Sequence, residues 1–271
     1  MLGTQLSSLA TAIREIGSPN FYQHICDYLY SCLRFDNIVV IVFKGSELPI
    51  VEYRKTFGPD VFKYIESEYL AGAYMLDPIF QYHLENGASG IFGLLDIAPD
   101  QFKRSRYYEW YYGRIGISDE ISVILDAGFD TTITISMGLD GTTGEVFPAN
   151  APKILRAHET VIIALLEKHF ATTAPSILSD TEKGHLPDRL ISAVYQQAAV
   201  LLSRRQAEIA LYILKGHSSQ SIALHLKISA QTVKVFRKQL YKKCNISSQA
   251  ELFALFMPVL IQLTQIQREA S

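Results

Sequence analysis

Cysteine is scarce in this chain of 271 residues, and the scarcity excludes whole classes of protein. Cys26, Cys32 and Cys244 are odd in number and show no CxxC spacing. A disulfide framework and a zinc site are therefore not expected, and neither is any other cofactor; the usage fits a reducing cytoplasm. Long hydrophobic runs are also missing. The longest strictly aliphatic or aromatic ones, such as Ile38–Phe43 and Val161–Leu166, fall far short of the roughly 18 residues a membrane span needs. The opening stretch MLGTQLSSLATAIREIG has no basic patch followed by an apolar core, so neither a secretion leader nor a membrane partner is expected. GxSxG, a P-loop and His/Cys pairs at metal spacing do not occur, which leaves no catalytic residue or metal ligand to nominate. The apolar strand Ile38–Phe43 ends in Lys44-Gly45, not in the acidic residue a phospho-receiver requires.

What is present is enough apolar material for two cores, 48% hydrophobic against 19% charged residues. The net charge of −2 hides an asymmetry. Residues 1–199 hold 15 Lys+Arg and 24 Asp+Glu; residues 200–271 hold 10 and 3. An acidic body with a basic tail points to a nucleic-acid partner for the tail.

Hydrophobic periodicity predicts helices across residues 6–33, broken at Ser18-Pro19. It then predicts a hairpin of Asn37–Phe43 with Leu48–Arg54, helices over 60–71 and 78–86, and a strand Gly90–Leu95. An aromatic-rich helix over 99–113 follows, with two strands, Glu120–Ala127 and Thr131–Leu139, the second bearing one wet face. A single long helix spans Ala151–Phe170. His24, His83, His158 and His169 fall singly on predicted helices, as surface or edge residues. This order implies an α+β sandwich, an antiparallel sheet flanked by helices, followed by an all-α domain. The boundaries are 1–172 for the first domain, 173–187 for a Thr/Ser/Pro/Gly-rich linker, and 188–271 for the second.

In the tail, Ser203, Ser218 and Ser229 can each cap a helix, Gly216 supplies a left-handed stop, and Lys227-Ile228-Ser229 is a tight turn. Two helices joined so tightly have the helix-turn-helix shape. On a helical wheel Val233, Phe236, Leu240 and Cys244 form a buried stripe. The opposite face presents Gln231, Lys234, Val235, Lys238 and Lys242, residue types that contact base edges, thymine methyls and phosphates of double-stranded DNA. Thr232 and Arg237 flank this face where phosphates would lie.

Residues 201–252 closely resemble the LuxR/GerE-type helix-turn-helix. The resemblance is carried by Leu202-Ser203, Glu208, Gly216, Ser218, Ile222-Ala223, Leu226, Ile228-Ser229, Thr232-Val233-Lys234, Arg237, Lys243 and Ser248-Gln249-Ala250-Glu251-Leu252. It implies base contacts at the positions of Lys234, Val235 and Lys238, with Lys243 on the DNA backbone. It also implies a dimerising last helix over Gln249–Gln267, kinked at Pro258, and RNA polymerase as a further partner. Phe236, Cys244 and Asn245 stand where His, Leu and Gly are usual, and Ser221 where an acidic residue is frequent. Asn245 can still take the left-handed conformation.

The body carries Tyr64, Tyr69, Tyr74 and Phe80 around Leu76-Asp77-Pro78, then Phe92, Phe102, Tyr107, Tyr108, Trp110, Tyr111 and Tyr112. Its order of elements is similar to autoinducer-binding or GAF/PAS-like sensor domains. By that resemblance Asp77 would anchor a small-molecule effector, with Tyr64 or Tyr74 beside it and Phe92, Trp110 and Tyr111 as pocket lining. Ile91-Phe92 replaces an expected Trp, and Asp before Pro is also a common helix cap. The expectation is thus a homodimeric DNA-binding regulator with a sensor body. Its rivals are the same DNA reader with a ligand-free interaction body, or an enzyme with autoregulatory DNA binding.

Overall fold

The structure is a computed structural model that describes residues 2–58, 61–173 and 186–270. Contacts divide the chain into two compact units. One comprises Met1–Lys63, Tyr82–Asp96 and Gly116–Thr181; the other Tyr64–Gln81, Ile97–Ile115 and Glu182–Ser271. Most of the segment expected as a linker lies outside the described residues.

In the first unit α1 (Leu2–Arg14) and α2 (Phe21–Cys32) precede a hairpin, β1 (Asn37–Lys44) and β2 (Ile50–Thr56). Beyond the short α3 (Pro78–Leu84) come β3 (Gly90–Gly93) and a helical turn, α4 (Leu94–Ile97). Past the three-residue α5 (Gly113–Ile115) lie β4 (Asp119–Gly128), β5 (Thr131–Leu139), α6 (Ala151–Arg156) and α7 (Glu159–Thr173). Among the described residues the five strands form one antiparallel sheet in the order β2-β1-β5-β4-β3. Ile133, Ile135 and Met137 of β5 enter a core with Phe21, Ile25 and Leu29 of α2 and Leu155, Ile162 and Leu166 of α6 and α7.

Four expectations are corrected here. The face of β5 expected to be wet is buried: Thr132, Thr134 and Ser136 are all interior and hydrogen-bonded, Ser136 Oγ to Ser122 Oγ at 2.8 Å and Thr134 Oγ1 to the Ile41 carbonyl at 3.1 Å. Alternation reports polarity, and a polar row with partners can be buried. His83 and His169 are interior, not peripheral. His83 lies within hydrogen-bonding distance of Thr132 Oγ1 and the Gly45 carbonyl, and His169 stacks on Phe21 while its Nδ1 accepts from Gly17 N at 3.1 Å. The long helix over 151–170 is two helices, broken at Ala157-His158, where His158 meets Tyr28 Oη at 2.8 Å. Finally, the helices expected over 60–71 and 99–113 are chains of short turns; residue 60 lies outside the described residues, and from Tyr64 on these turns belong to the second unit. A π-turn at Ile65–Tyr69 is followed by a 3₁₀ turn at Ala73–Leu76, and a 3₁₀ turn at Phe102–Arg104 by a π-turn at Tyr108–Tyr112.

The rest of the second unit is helical: α8 (Leu186–Ala198), α9 (Arg204–Lys215), α10 (Ser219–Leu226), α11 (Ala230–Lys243) and α12 (Gln249–Ala270). Gln249–Ile266 is long and apolar enough, by length and composition, to cross a bilayer, which a search for strictly apolar runs misses because Pro258, Gln262 and Thr264 interrupt it. Leu252, Phe256, Val259, Leu260 and Thr264 are buried, as in the core helix of a folded domain.

Candidate DNA-reading surface and effector site

The reading surface is built from local rules. Ser203 closes a complete capping box on α9: its Oγ accepts from Gln206 N, and Gln206 Oε1 accepts from Ser203 N. Gly216 ends α9 at φ +98°. Ser218 and Ser229 cap α10 and α11 through Ser221 N and Thr232 N, and Lys227 and Asn245 both adopt the left-handed conformation, at φ +53°. Val233 and Leu240 are fully buried and Phe236 and Cys244 half-buried, so the apolar stripe of α11 packs inward. That rotation leaves Gln231, Lys234, Val235, Lys238 and Lys242 exposed along one face. Thr232 and Arg237 are half-buried at its flanks, Arg237 with its guanidinium 5.2 Å from the Tyr241 ring centre. Lys243 is exposed, its Nζ 3.4 Å from Gln206 Oε1. Burial holds His217 down at about 4, so this histidine of the α9–α10 turn is neutral at pH 7.

Gly216 is required twice over, by its positive φ and by space. A Cβ there would lie 3.0 Å from Phe102 Cα. Gly216→Ala is expected to cost about 1–3 kcal/mol, read as a lower denaturant midpoint with an unchanged slope.

In the same unit Asp77 is 3% exposed. Its Oδ1 accepts from Ile79 N at 2.7 Å, capping the turn that follows, and its Oδ2 faces the hydroxyls of Tyr112 at 3.3 Å and Tyr107 at 3.4 Å. Burial raises its pKa to about 6, against the lowering effect of these donors. Tyr107 and Tyr111 stack at 6.0 Å, and Phe102 packs edge-on to Tyr108 and Tyr112.

Residues 200–256 match the family described as bacterial regulatory proteins, luxR family. An Aeromonas salmonicida protein, named for an HTH-type transcriptional regulator in the exeN 3′ region, is 30% identical over 193 residues, covering 68% of this chain and 95% of that protein. The chain belongs to the LuxR family. It is a DNA-binding, helix-turn-helix transcriptional regulator. The LBD domain of VqsR from Pseudomonas aeruginosa, 22% identical, superposes with a TM-score of 0.51 over 61% of this chain and 96% of that one, which shows a shared fold. Escherichia coli SdiA is 16% identical, with a TM-score of 0.45 and coverage of 92% and 95%.

In this LuxR-family regulator the residues picked for a pocket are not all in one place. Phe92 belongs to the first unit, where its ring packs against Tyr82 at 5.2 Å. Tyr64 and Trp110 share the Arg114 guanidinium, at 4.2 and 5.2 Å, and Arg114 is paired with Glu68. Trp110 also packs on Phe253 of α12. Tyr74 is buried against Phe80, and Tyr111 lies between Tyr69 and Tyr107. Tyr107 and Tyr112, the two phenols on Asp77, were visible in the sequence only as members of a tyrosine run. Nothing in their spacing singled them out, because a π-turn sets their directions.

Proposed function

We propose that this regulator is a homodimer whose α11 helices enter successive major grooves, with Lys234, Val235 and Lys238 on bases and Gln231 reading adenine. In this reading residues 188–271 are the DNA-binding domain. Thr232, Arg237, Lys242 and Lys243 meet phosphates, which fixes register without reading sequence. The observation that carries it is the exposed face of α11, where every outward residue can donate to DNA or touch a thymine methyl. A dimer is favoured by the two-fold sites such readers occupy and by the exposed apolar stripe Leu2, Leu6 and Ile13 on α1. Because the apolar side of α12 is buried within its own unit, α1 is the better candidate for self-association. The setting is the cytoplasm, with RNA polymerase as the downstream partner.

The body then acts as a sensor. Asp77 offers a buried carboxylate to a ligand's N–H or O–H donor, with Tyr107 and Tyr112 released to rearrange around it, so that effector binding shifts the population of DNA-competent dimers. Native mass spectrometry of the purified protein tests this: a bound small molecule that Asp77→Ala loses is the expected result. Its absence in both forms would leave the body as an interaction domain.

A further inference from the structure

Helices that begin at a serine N-cap are best closed by two hydrogen bonds, one accepted by the serine hydroxyl and one donated by a backbone N–H near the cap. At α9 Gln206 supplies the second acceptor from three residues ahead, at 3.0 Å. At α12 Glu251 does so, accepting from Ser247 N at 3.0 Å while Ser248 Oγ accepts from Glu251 N at 3.2 Å. At α10 the corresponding residue is Ser221, whose Oγ pairs with His217 Nδ1 at 2.8 Å and is too short to reach back. The Ser218 N–H donates instead to Asp100 Oδ1, at 2.9 Å, from 118 residues away in the chain.

Asp100 does not arrive alone. Gln101 N donates to the Gly216 carbonyl at 3.0 Å, the Phe102 backbone lies against the bare Cα of Gly216, and Lys215 Nζ bonds to Gln81 Oε1. Arg104 and Arg237 line a small polar cavity of about 130 Å³ at this turn, together with Gln101, Ser218, Ser219 and Gln249. Neither arginine has an ion pair among the described residues. Two residues beyond Asp100, the Phe102 ring packs against Tyr107, Tyr108 and Tyr112, and the first and last of these hold Asp77.

We propose that Asp100 completes the capping box of α10 in trans and that this bond is a latch on the DNA reader. Closed, it ties the tyrosine-bearing segment to the first helix of the helix-turn-helix. It also holds a carboxylate at the N-terminus of α10, where the DNA backbone crosses that helix. Open, it frees the N-terminus of α10 for phosphate, next to the two arginines of the cavity. A repacking of Tyr107 or Tyr112 on Asp77 moves Phe102 and, through it, Asp100. The latch rests on the assignment of α10 and α11 as the reader; it does not depend on the identity of an effector.

The test uses the full chain and a labelled random-sequence duplex at low salt. Asp100→Ala should bind about three- to tenfold tighter, with a salt slope steeper by about one phosphate contact. Glu109→Gln removes the same charge from the same segment, on a residue paired with Arg106, and should change neither quantity. Amide exchange across α10 should quicken in Asp100→Ala and slow again when Ser221→Glu restores a carboxylate in cis, a rescue that a nonspecific charge effect would not produce. Equal or weaker duplex binding by Asp100→Ala, or α10 exchange that ignores both substitutions, would overturn the latch alone. A wild-type chain that binds no duplex under any condition would overturn the reader with it.

Discussion

Alanine at both Lys234 and Lys238 should sharply weaken sequence preference, at a cost of about 2–6 kcal/mol on a selected site if each lysine makes a base contact worth about 1–3 kcal/mol. The two side chains are one helical turn apart on the exposed face of α11, so their effects can couple, and the single variants are needed to measure the coupling. Lys243→Ala is the contrast. Its ammonium lies at the end of α11, loosely held by Gln206, and as a phosphate contact it should weaken selected and scrambled duplexes alike, lowering the salt slope by about one. Titrations of the four variants and the wild type on both duplexes at several salt concentrations distinguish the two patterns. An unchanged preference in the double variant would show that neither lysine reads bases.

The reader was legible in the sequence because its determinants are local. Ser203, Ser218 and Ser229 announce helix starts, Gly216 and Asn245 accept positive φ, and the stripe of Val233 and Leu240 orients α11 within one helix. The sheet was legible because its strands are dense in β-branched residues, as in Asn37–Lys44, which fit a pleated, buried surface. What escaped is decided at long range. Thr132 and Thr134 look wet by alternation and are buried. The tyrosine segment shows helical spacing, yet its i→i+5 turn, closed by Gly113 N to the Tyr108 carbonyl, rotates successive rings to directions no wheel anticipates. The grouping of Ile97–Ile115 with the C-terminal helices is likewise invisible, because Asp100 reads as the start of a predicted helix until Ser218 is seen beside it.

Asp77→Asn is expected to stabilise the unliganded protein at pH 7 and to remove a pH dependence that the wild type shows. Burial lifts the folded-state pKa of Asp77 to about 6, above the ordinary 3.8 of an unfolded chain, so the folded state holds this proton more tightly. Its contribution is therefore most favourable below pH ~4 and is lost as the pH rises through 6, a difference of roughly 3 kcal/mol at about 1.4 kcal/mol per unit. Asparagine keeps the acceptor that caps Ile79 N–H and carries no charge to desolvate. Urea midpoints at pH 4, 5, 6 and 7 should thus separate the two proteins progressively, equal at the acid end and with the variant ahead by about 1–3 kcal/mol at neutral pH. Subtracting one curve from the other cancels the titration of every other carboxylate. A carboxylate kept at such a cost makes sense where a ligand's donor repays it, so the same substitution should also remove effector-induced stabilisation, about 2.7 kcal/mol at a hundredfold excess over Kd. Parallel pH curves for the two proteins would mean that Asp77 is not held protonated by its surroundings, and would reduce it to the cap of the turn at Ile79.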